Sequence, residues 1–459
     1  MKKMFDSCFD ECTFIILGAT GNLSKRKLIP AMYKLIEDKK LCKFAIVGIS
    51  IDRITGKELL DQAKMFLQKV DQKIWNQLED AFSYHRMDFD DLDAYKQLNE
   101  FLIAEEKKKK LMGNRAFYFA TLPHHFIAIT KNLVESGIVN KKTMKSFPWT
   151  RLVYEKPFGD DLKSSQAINR YLSKVFDESS VFRIDHYLGK ELVGTIALTR
   201  FTNRIFEPLW NNKHIDSVFI NVSEKIDIEG RGNFYDQYGA IKDMIQSHML
   251  QLLALTAMEQ PKKLTAQYIR NAKVRVLEKI KVKDVLVGQY QGYKKEKGVK
   301  PSSITETFAL VQMHIDNRRW KGVPFYVRTG KALDTKESYI RINFKPVACL
   351  LTVCPSVLNH LVIKISPDAG IFLGLNAKVP GIADQVTPVC MDFCYNCLFG
   401  PNTPEAYETL LADVMKGDQS AFVRADEVYY SWKVVEQILK KKGTLYEYKK
   451  GSKGPEVKK

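Results

Sequence analysis

Along the first part of the chain, short apolar runs rich in β-branched residues alternate with stretches of helical period. Thr13-Phe14-Ile15-Ile16-Leu17 is a continuous apolar run that ends at Gly18, and a helical pattern begins near Lys25. That order predicts strand, tight turn, helix. A second run, Phe44-Ala45-Ile46-Val47-Gly48, follows the segment Leu28 to Leu41 closely enough to complete a strand-helix-strand unit. Further runs at Ala116 to Ala120 and Leu152 to Tyr154 are separated by helical stretches. Alternation of this kind predicts a parallel sheet covered on both faces.

The texture changes after about residue 180. Strand-like alternation becomes frequent in Val218 to Lys225, Thr305 to Ile315, Tyr326 to Arg328, Tyr339 to Phe344 and His360 to Ser366, without intervening helices. Such spacing predicts a mainly antiparallel sheet. Helical patterns flank or interrupt it at Leu162 to Phe176, Ala240 to Met258, Pro404 to Val414 and Asp426 to Lys440, while Pro346 to Gly400 carries no clear period. The reading is an α/β domain over residues 1–180 and a larger α+β domain over residues 181–459. A length of 459 residues also exceeds what one hydrophobic core usually fills.

Composition narrows the class. No apolar run approaches the roughly 20 residues of a bilayer crossing, and the opening MKKMFDSCFDECT places acidic residues where a signal peptide is apolar. A cytoplasmic enzyme is the simplest expectation. The eight cysteines, Cys8, Cys12, Cys42, Cys349, Cys354, Cys390, Cys394 and Cys397, are too sparse for a disulfide framework, so reduced thiols are expected. Cys394 and Cys397 form a CxxC with Cys390 close by. With no second CxxC or spaced histidine pair, no metal is expected and the role of the cluster stays open. Lys and Arg exceed Asp and Glu by 71 to 53, a formal charge of +18 that attracts anions of any class. The lysines gather at Lys107 to Lys110, Lys440 to Lys442 and from Lys449 onward, with little aromatic interleaving. Solvated helix ends account for them better than a nucleic-acid or membrane surface does.

Five segments carry chemistry. Gly18-Ala19-Thr20-Gly21-Asn22-Leu23-Ser24 lies between strand and helix, where glycines let the backbone approach a pyrophosphate and the helix start supplies N–H donors. It lacks the G-x-G-x-x-G spacing, and alone it is equally a glycine turn. Glu155-Lys156-Pro157-Phe158-Gly159 follows a strand, so Lys156 is expected at its carboxyl end, where open sheets bind ligands. In Arg183-Ile184-Asp185-His186-Tyr187-Leu188-Gly189-Lys190, the donors His186, Tyr187 and Lys190 suit a phosphate and Asp185 suits an imidazole partner. His248 falls on the apolar stripe formed by Ile241, Met244, Ile245 and Leu252, a place more often held by a hydrogen-bonded core histidine. Arg328-Thr329-Gly330-Lys331, continuing to Lys336, is a basic turn after a strand.

Taken together, GATGNLSKRKLIP, YEKPFG, RIDHYLGKE, GRGNFYDQYGAIKDMIQSHMLQ and VPFYVRTGKAL occur in an order and spacing that resembles the glucose-6-phosphate dehydrogenase family, from about Thr13 to Tyr448. The resemblance implies a Rossmann-like coenzyme domain joined to an α+β domain that assembles dimers or tetramers through its sheet. It implies oxidation of glucose 6-phosphate at C1 with NADP as hydride acceptor, and NAD as the alternative. By motif position, His248 resembles the family's general base and Asp185 its carboxylate partner. Lys156 resembles the lysine that touches both coenzyme and sugar. His186, Tyr187, Lys190, Lys331 and Lys336 resemble the phosphate and sugar contacts, with Glu224 and Asp236 as hydroxyl-binding carboxylates. The coenzyme contacts implied are Gly18, Ala19, Thr20, Gly21, Asn22, Leu23, Ser50, Arg53 and Lys156.

Departures from the family pattern bear on the coenzyme. Asn22 stands where the family usually has Asp, and Ile51 where a 2′-phosphate-binding arginine is usual. Ser50 and Arg53 are the remaining groups for that phosphate, while Asp52 suits a free ribose hydroxyl. Ala120-Thr121-Leu122-Pro123 replaces A-L-P-P, and no C-terminal extension follows Tyr448 to carry the second, structural NADP site of longer members. No such site is expected. A sugar oxidoreductase of the glucose-fructose type shares the Glu-Lys-Pro motif but not RIDHYLGK or RTGK. A basic regulatory protein on an inactive scaffold is the reading from a different class.

Overall fold

In the computed structural model, which describes residues 8–139, 147–348, 357–381, 385–400 and 405–456, the chain divides into two compact units. The first comprises Met1–Gly189 with Thr265–Gln267 and Pro404–Ala425, and the second the remainder.

The first unit is built on strands β1 (Cys12–Leu17), β2 (Phe44–Ser50), β3 (Phe82–Arg86), β4 (Arg115–Phe119), β5 (Thr150–Tyr154) and β6 (Val181–Ile184). All pair in parallel, in the order β6-β5-β4-β1-β2-β3, and the two-residue strand Phe422–Val423 adds an antiparallel edge on β6. Every residue of β1 and β4 is buried. This follows from helices covering both faces, which require near-continuous apolar strands rather than alternating ones. A buried fork ties strands to helix: Arg115 Nε and Nη2 donate to Glu106 Oε1 and Oε2 at 2.8 and 2.9 Å, and the Thr13 hydroxyl donates to Glu106 Oε1 at 3.1 Å.

Two sequence expectations shift here. The first unit runs past residue 180 to Gly189, because β6 completes its sheet. The helix Ala406–Lys416, expected in the second domain, belongs to the first unit. Its Leu410, Leu411, Val414 and Met415 share one core with Leu28, Met32, Ile36 and Phe182, and Arg151 Nη1 donates to the carbonyls of Val414 and Met415 at 2.7 Å each.

The second unit contains β7 (Ile215–Ser223), β8 (Ile280–Tyr290), β9 (Phe308–Ile315), β10 (Phe325–Gly330), β11 (Glu337–Phe344), β12 (His360–Ser366), β13 (Gly370–Lys378) and β14 (Val386–Cys394), with a last strand Leu445–Tyr448. The order is β14-β13-β12-β11-β7-β10-β9-β8 followed by Leu445–Tyr448. Pairing is antiparallel except between β7 and β10 and between β8 and the last strand. Burial alternates residue by residue along β9 and β11, the pattern of a half-covered antiparallel sheet.

The expectation of reduced thiols is corrected at four positions, because Cys8 bonds to Cys42 and Cys394 to Cys397. A backbone hydrogen bond from Phe9 N to Lys40 O at 2.9 Å brings the first pair together, with Cα atoms 5.8 Å apart across 34 residues. Composition bears on compartment and not on such proximity. Cys12 and Cys390 are free, and Cys349 and Cys354 lie outside the described residues. No helix among the described residues is long and apolar enough to cross a membrane.

Lys273 and Glu427 form an ion pair at 2.7 Å with both side chains 0% exposed, and the lysine also donates to Gln251 Oε1 at 2.9 Å. Removing the lysine strands a carboxylate in a dry interior. Lys273→Met is therefore expected to lower unfolding free energy by about 3–5 kcal/mol, read as a drop in the urea midpoint at constant slope. A loss below about 1 kcal/mol would put the pair in the class of surface ion pairs.

Candidate active site

At the carboxyl ends of its parallel strands the first unit encloses a cavity of about 900 Å³. The strand order places the sheet's switch point between neighbouring β1 and β4, since the chain leaves β1 toward one edge and β4 toward the other. Ligands of open α/β sheets bind in the crevice at that point. Gly18, the first residue after β1, has φ +90°, and a Cβ there would stand 2.7 Å from the Ala120 carbonyl oxygen beyond β4. Only glycine lets the chain turn this close to its neighbour. Thr20, Gly21 and Leu23 line the cavity with Gly18. The helix that follows begins at Asn22, and its Ser24–Leu28 stretch has no acidic residue. Helix starts of this kind receive phosphate oxygens, so the cradle fits a dinucleotide pyrophosphate.

Ser50 and Ile51, at the end of β2, form part of the wall. The Thr20 and Ser50 hydroxyls lie 2.8 Å apart, and both donate to Asp52 Oδ2, Ser50 from 3.2 Å. Tyr84 holds this corner by donating to the Asp52 carbonyl at 2.8 Å. A carboxylate thus stands at the β2 corner, where the expectation had placed Ser50 and Arg53 around a phosphate. Arg53 is exposed and does not line the cavity, and neither Asn22 nor the buried Ala19 does.

Past β5, Glu155 and Lys156 both line the cavity, and the Lys156-Pro157 peptide is cis. Glu155 Oε1 accepts the hydroxyls of Tyr118, at 2.5 Å, and Tyr407, at 3.2 Å. Burial raises the Glu155 carboxyl above the usual range, and these two hydrogen bonds only partly offset it. Beyond β6, His186 lines the cavity. Asp185 is buried, its Oδ1 accepts the Tyr187 amide at 3.0 Å, and the rings of His186 and Tyr187 are 5.2 Å apart.

Sequence reasoning missed several wall residues. Asp88, Phe89 and Asp90 follow β3, a short strand with little apolar signal, and His125 follows β4. Tyr407 reaches the cavity from a helix far along the chain, for which no local signal exists.

The second unit holds the other expected residues. Lys331 is buried, paired with Glu224, and stands 5.4 Å above the Tyr235 ring. Glu224 is fixed from both sides, its amide donating to the Gly330 carbonyl and its carbonyl accepting the Leu333 amide. Asp236 Oδ1 accepts the hydroxyls of Ser303, at 2.5 Å, and Tyr293, at 3.1 Å, and Oδ2 accepts the Lys300 amide at 3.3 Å. Burial alone would raise its carboxyl, yet these hydrogen bonds together hold it below the usual range. Lys190 precedes the helix Glu191–Thr202 without a side-chain capping bond, and Lys336 is exposed.

His248 is fully buried in a π-helical stretch, Ile241–Met249, that continues as the helix Leu250–Ala257. π-Turns are uncommon and occur often at functional sites. The stretch begins beyond Gly239, whose φ is +62° and whose missing Cβ makes room for the Glu306 carboxylate. Glu306 Oε1 accepts the Ile241 amide at 3.2 Å and its carbonyl accepts the Ala240 amide at 2.9 Å, so one residue seats the start of the histidine-bearing helix.

A doubly wound parallel sheet with a glycine turn at its switch point is the architecture of the nucleotide-binding α/β class. Residues 15–194 match the family model described as glucose-6-phosphate dehydrogenase, NAD binding domain, and residues 197–459 the one described as its C-terminal domain. The chain belongs to the glucose-6-phosphate dehydrogenase family. It is 39% identical to the glucose-6-phosphate 1-dehydrogenase of Bacillus subtilis, over 97% of this chain and 95% of that one. It is 38% identical to that of Chlamydia muridarum, over 93% and 90%. A solved glucose-6-phosphate dehydrogenase in complex with its substrate glucose 6-phosphate superposes with a TM-score of 0.89 at 35% identity, covering 98% of this chain and 96% of that one.

The raised Glu155 carboxyl has a consequence for stability. The folded state prefers the protonated form, so stability is greatest below the carboxyl's unfolded value and falls as pH rises through the raised folded value. Glu155→Gln keeps an acceptor for both tyrosines and abolishes that loss. Its melting temperature relative to the wild type is expected to rise between pH 4 and neutrality; parallel profiles would show that Glu155 does not titrate differently on folding.

Proposed function

We propose that this chain oxidises glucose 6-phosphate at C1 to 6-phosphoglucono-1,5-lactone with hydride transfer to NADP, the first step of the oxidative pentose phosphate pathway. The observation that carries the reading is the family match across both units, joined to a glycine cradle built for a dinucleotide. Hydride leaves C1 only as the C1 hydroxyl loses its proton. We assign His248 as the base, because a neutral imidazole carries an unprotonated ring nitrogen that can accept that proton. Asp185 orients the ring and stabilises the cation that forms. The nicotinamide, when bound, supplies the hydride acceptor, and no step calls for a metal.

Lys156 sits among the cradle residues and is assigned to both coenzyme and sugar. His186, Tyr187, Lys190, Lys331 and Lys336 are assigned to the sugar and its phosphate, for which ammonium, imidazole and phenol donors are suited. Glu224 and Asp236 are assigned to the sugar hydroxyls. Of these, Glu224 stands beside Lys331, and the hydrogen bonds to Asp236 keep its carboxylate ionised and fixed. The protein works in the cytoplasm as a homodimer or homotetramer joined through the second unit's sheet. The exposed edge strand β14, with Met391 62% exposed, supports such pairing.

A second reading of the coenzyme rests on Asp52. Its carboxylate, beside Thr20 and Ser50, is an acceptor for a free ribose hydroxyl and repels a 2′-phosphate, which favours NAD. Following reduced-nicotinamide absorbance with glucose 6-phosphate, using NADP and NAD in turn, tests both. Turnover that requires the sugar phosphate is expected, with the larger kcat/KM for NADP under the first reading and for NAD under the second. Equal rates on unphosphorylated glucose would overturn the substrate. His248→Asn is expected to lower kcat by roughly two to four orders of magnitude with KM within a few-fold. Near-normal turnover would remove His248 from the mechanism.

A further inference from the structure

The second unit carries another cavity, of about 810 Å³, lined by none of the residues assigned to the reaction. It is strongly basic. Arg200, Arg204, Lys213, Arg318 and Arg319 line it with His214, against two carboxylates, Glu207 and Glu259.

Those carboxylates are already engaged. Arg200 Nε donates to Glu207 Oε2 at 2.9 Å, while Arg319 Nη2 pairs with Glu207 Oε1 at 2.9 Å and Glu259 Oε2 at 2.6 Å. Arg200 is 1% exposed, and its Nη1 donates to the carbonyls of Thr256 and Met258. Its Nη2 is buried without a hydrogen-bond partner among the described residues. Arg204, Lys213 and Arg318 are exposed, and none of their side chains has a hydrogen bond or ion pair among the described residues. They converge from three separate segments: the turn after the helix Glu191–Thr202, the approach to β7, and the connection from β9 to β10.

Helix C-termini repel anions, and the Glu191–Thr202 helix ends at this cavity. Two of its last carbonyls are masked, however. The Thr202 hydroxyl donates to Leu198 O at 2.6 Å, and Asn203 Nδ2 donates to Thr199 O at 2.9 Å. Five lysine and arginine side chains against two carboxylates leave the lining net positive. Its volume lies in the range of small-ligand sites rather than of an extended macromolecular surface. Guanidinium groups recognise phosphate oxygens through paired, charge-assisted hydrogen bonds.

We propose that this cavity is a second anion site, which binds a small organic polyphosphate through Arg204, Lys213 and Arg318 above a floor set by Arg200 and Arg319. The proposal is independent of the coenzyme cradle, because every lining residue belongs to the second unit.

Calorimetric titration of the full chain with inorganic tripolyphosphate and with ATP tests it by heat of binding rather than by activity. Besides any binding at the coenzyme cradle, one site is expected that weakens with added salt. The double variant Arg204→Glu, Arg318→Glu is expected to weaken it roughly tenfold or more, while Lys156→Ala in the first-unit cavity leaves it unchanged. Should the charge reversal disturb folding, Arg318→Ala alone, checked by melting temperature, is expected to show a partial loss. No binding, or binding lost in Lys156→Ala and kept in the arginine variants, would overturn the site. Tighter binding of a DNA duplex, lost in the same arginine variants, would overturn the small-ligand assignment.

Discussion

Between the end of β1 and the end of β4 two backbones pass so closely that no side chain fits at Gly18, where a Cβ would stand 2.7 Å from the Ala120 carbonyl oxygen. From that approach the rest of the first unit follows. β1 stops, the chain turns with φ +90°, and helical backbone begins at Asn22, four residues on from Gly18. Residues from the ends of the six parallel strands then open onto one cavity, with Thr20, Gly21 and Leu23 at the start of the helix among them. Packing on both faces leaves this crevice as the place where the sheet accepts a ligand.

The histidine-bearing helix of the second unit depends on a comparable device. Gly239 again omits a side chain, here to admit the Glu306 carboxylate that accepts the first amide of the π-helical stretch. Glu306 is itself held by Lys442. A π-turn has one residue more than an α-turn, so it rotates His248 relative to the residues before it. The apolar stripe around His248 thus reports burial without settling the use of the ring.

Much of the architecture was legible because local patterns and tertiary demands agreed. β1 and β4 are buried throughout, and β2 and β5 are buried but for their first one or two residues, as a sheet covered on both faces requires, whereas β9, β11 and β12 alternate. Where local pattern failed, a physical reason is visible. β8 contains a register shift at Val282 and Asp284 that breaks its alternation. β14 is an exposed edge that tolerates Pro388, and β13 contains Gly370 and Gly374, so neither reads as a strand. The periodic stretch Pro404 to Val414 predicts a helix but not its unit, since period reports a buried face and not which core receives it. In the site, Gly18, Thr20, Gly21, Leu23, Ser50, Lys156 and His186 share one cavity, whereas Arg53 and Asn22 stand off it. Tyr407 had no readable signal, because what brings it to Glu155 is the fold of a distant segment.

Coenzyme binding in the first unit depends on the nucleotide seat at the Gly18 turn. Diffraction from crystals grown with NADP or NAD tests it most directly. Pyrophosphate density is expected against the main chain of residues 20–24, with Gly18 still in its left-handed conformation and the adenosine ribose beside Ser50 and Asp52. Nucleotide density away from the carboxyl ends of β1 and β4 would contradict it.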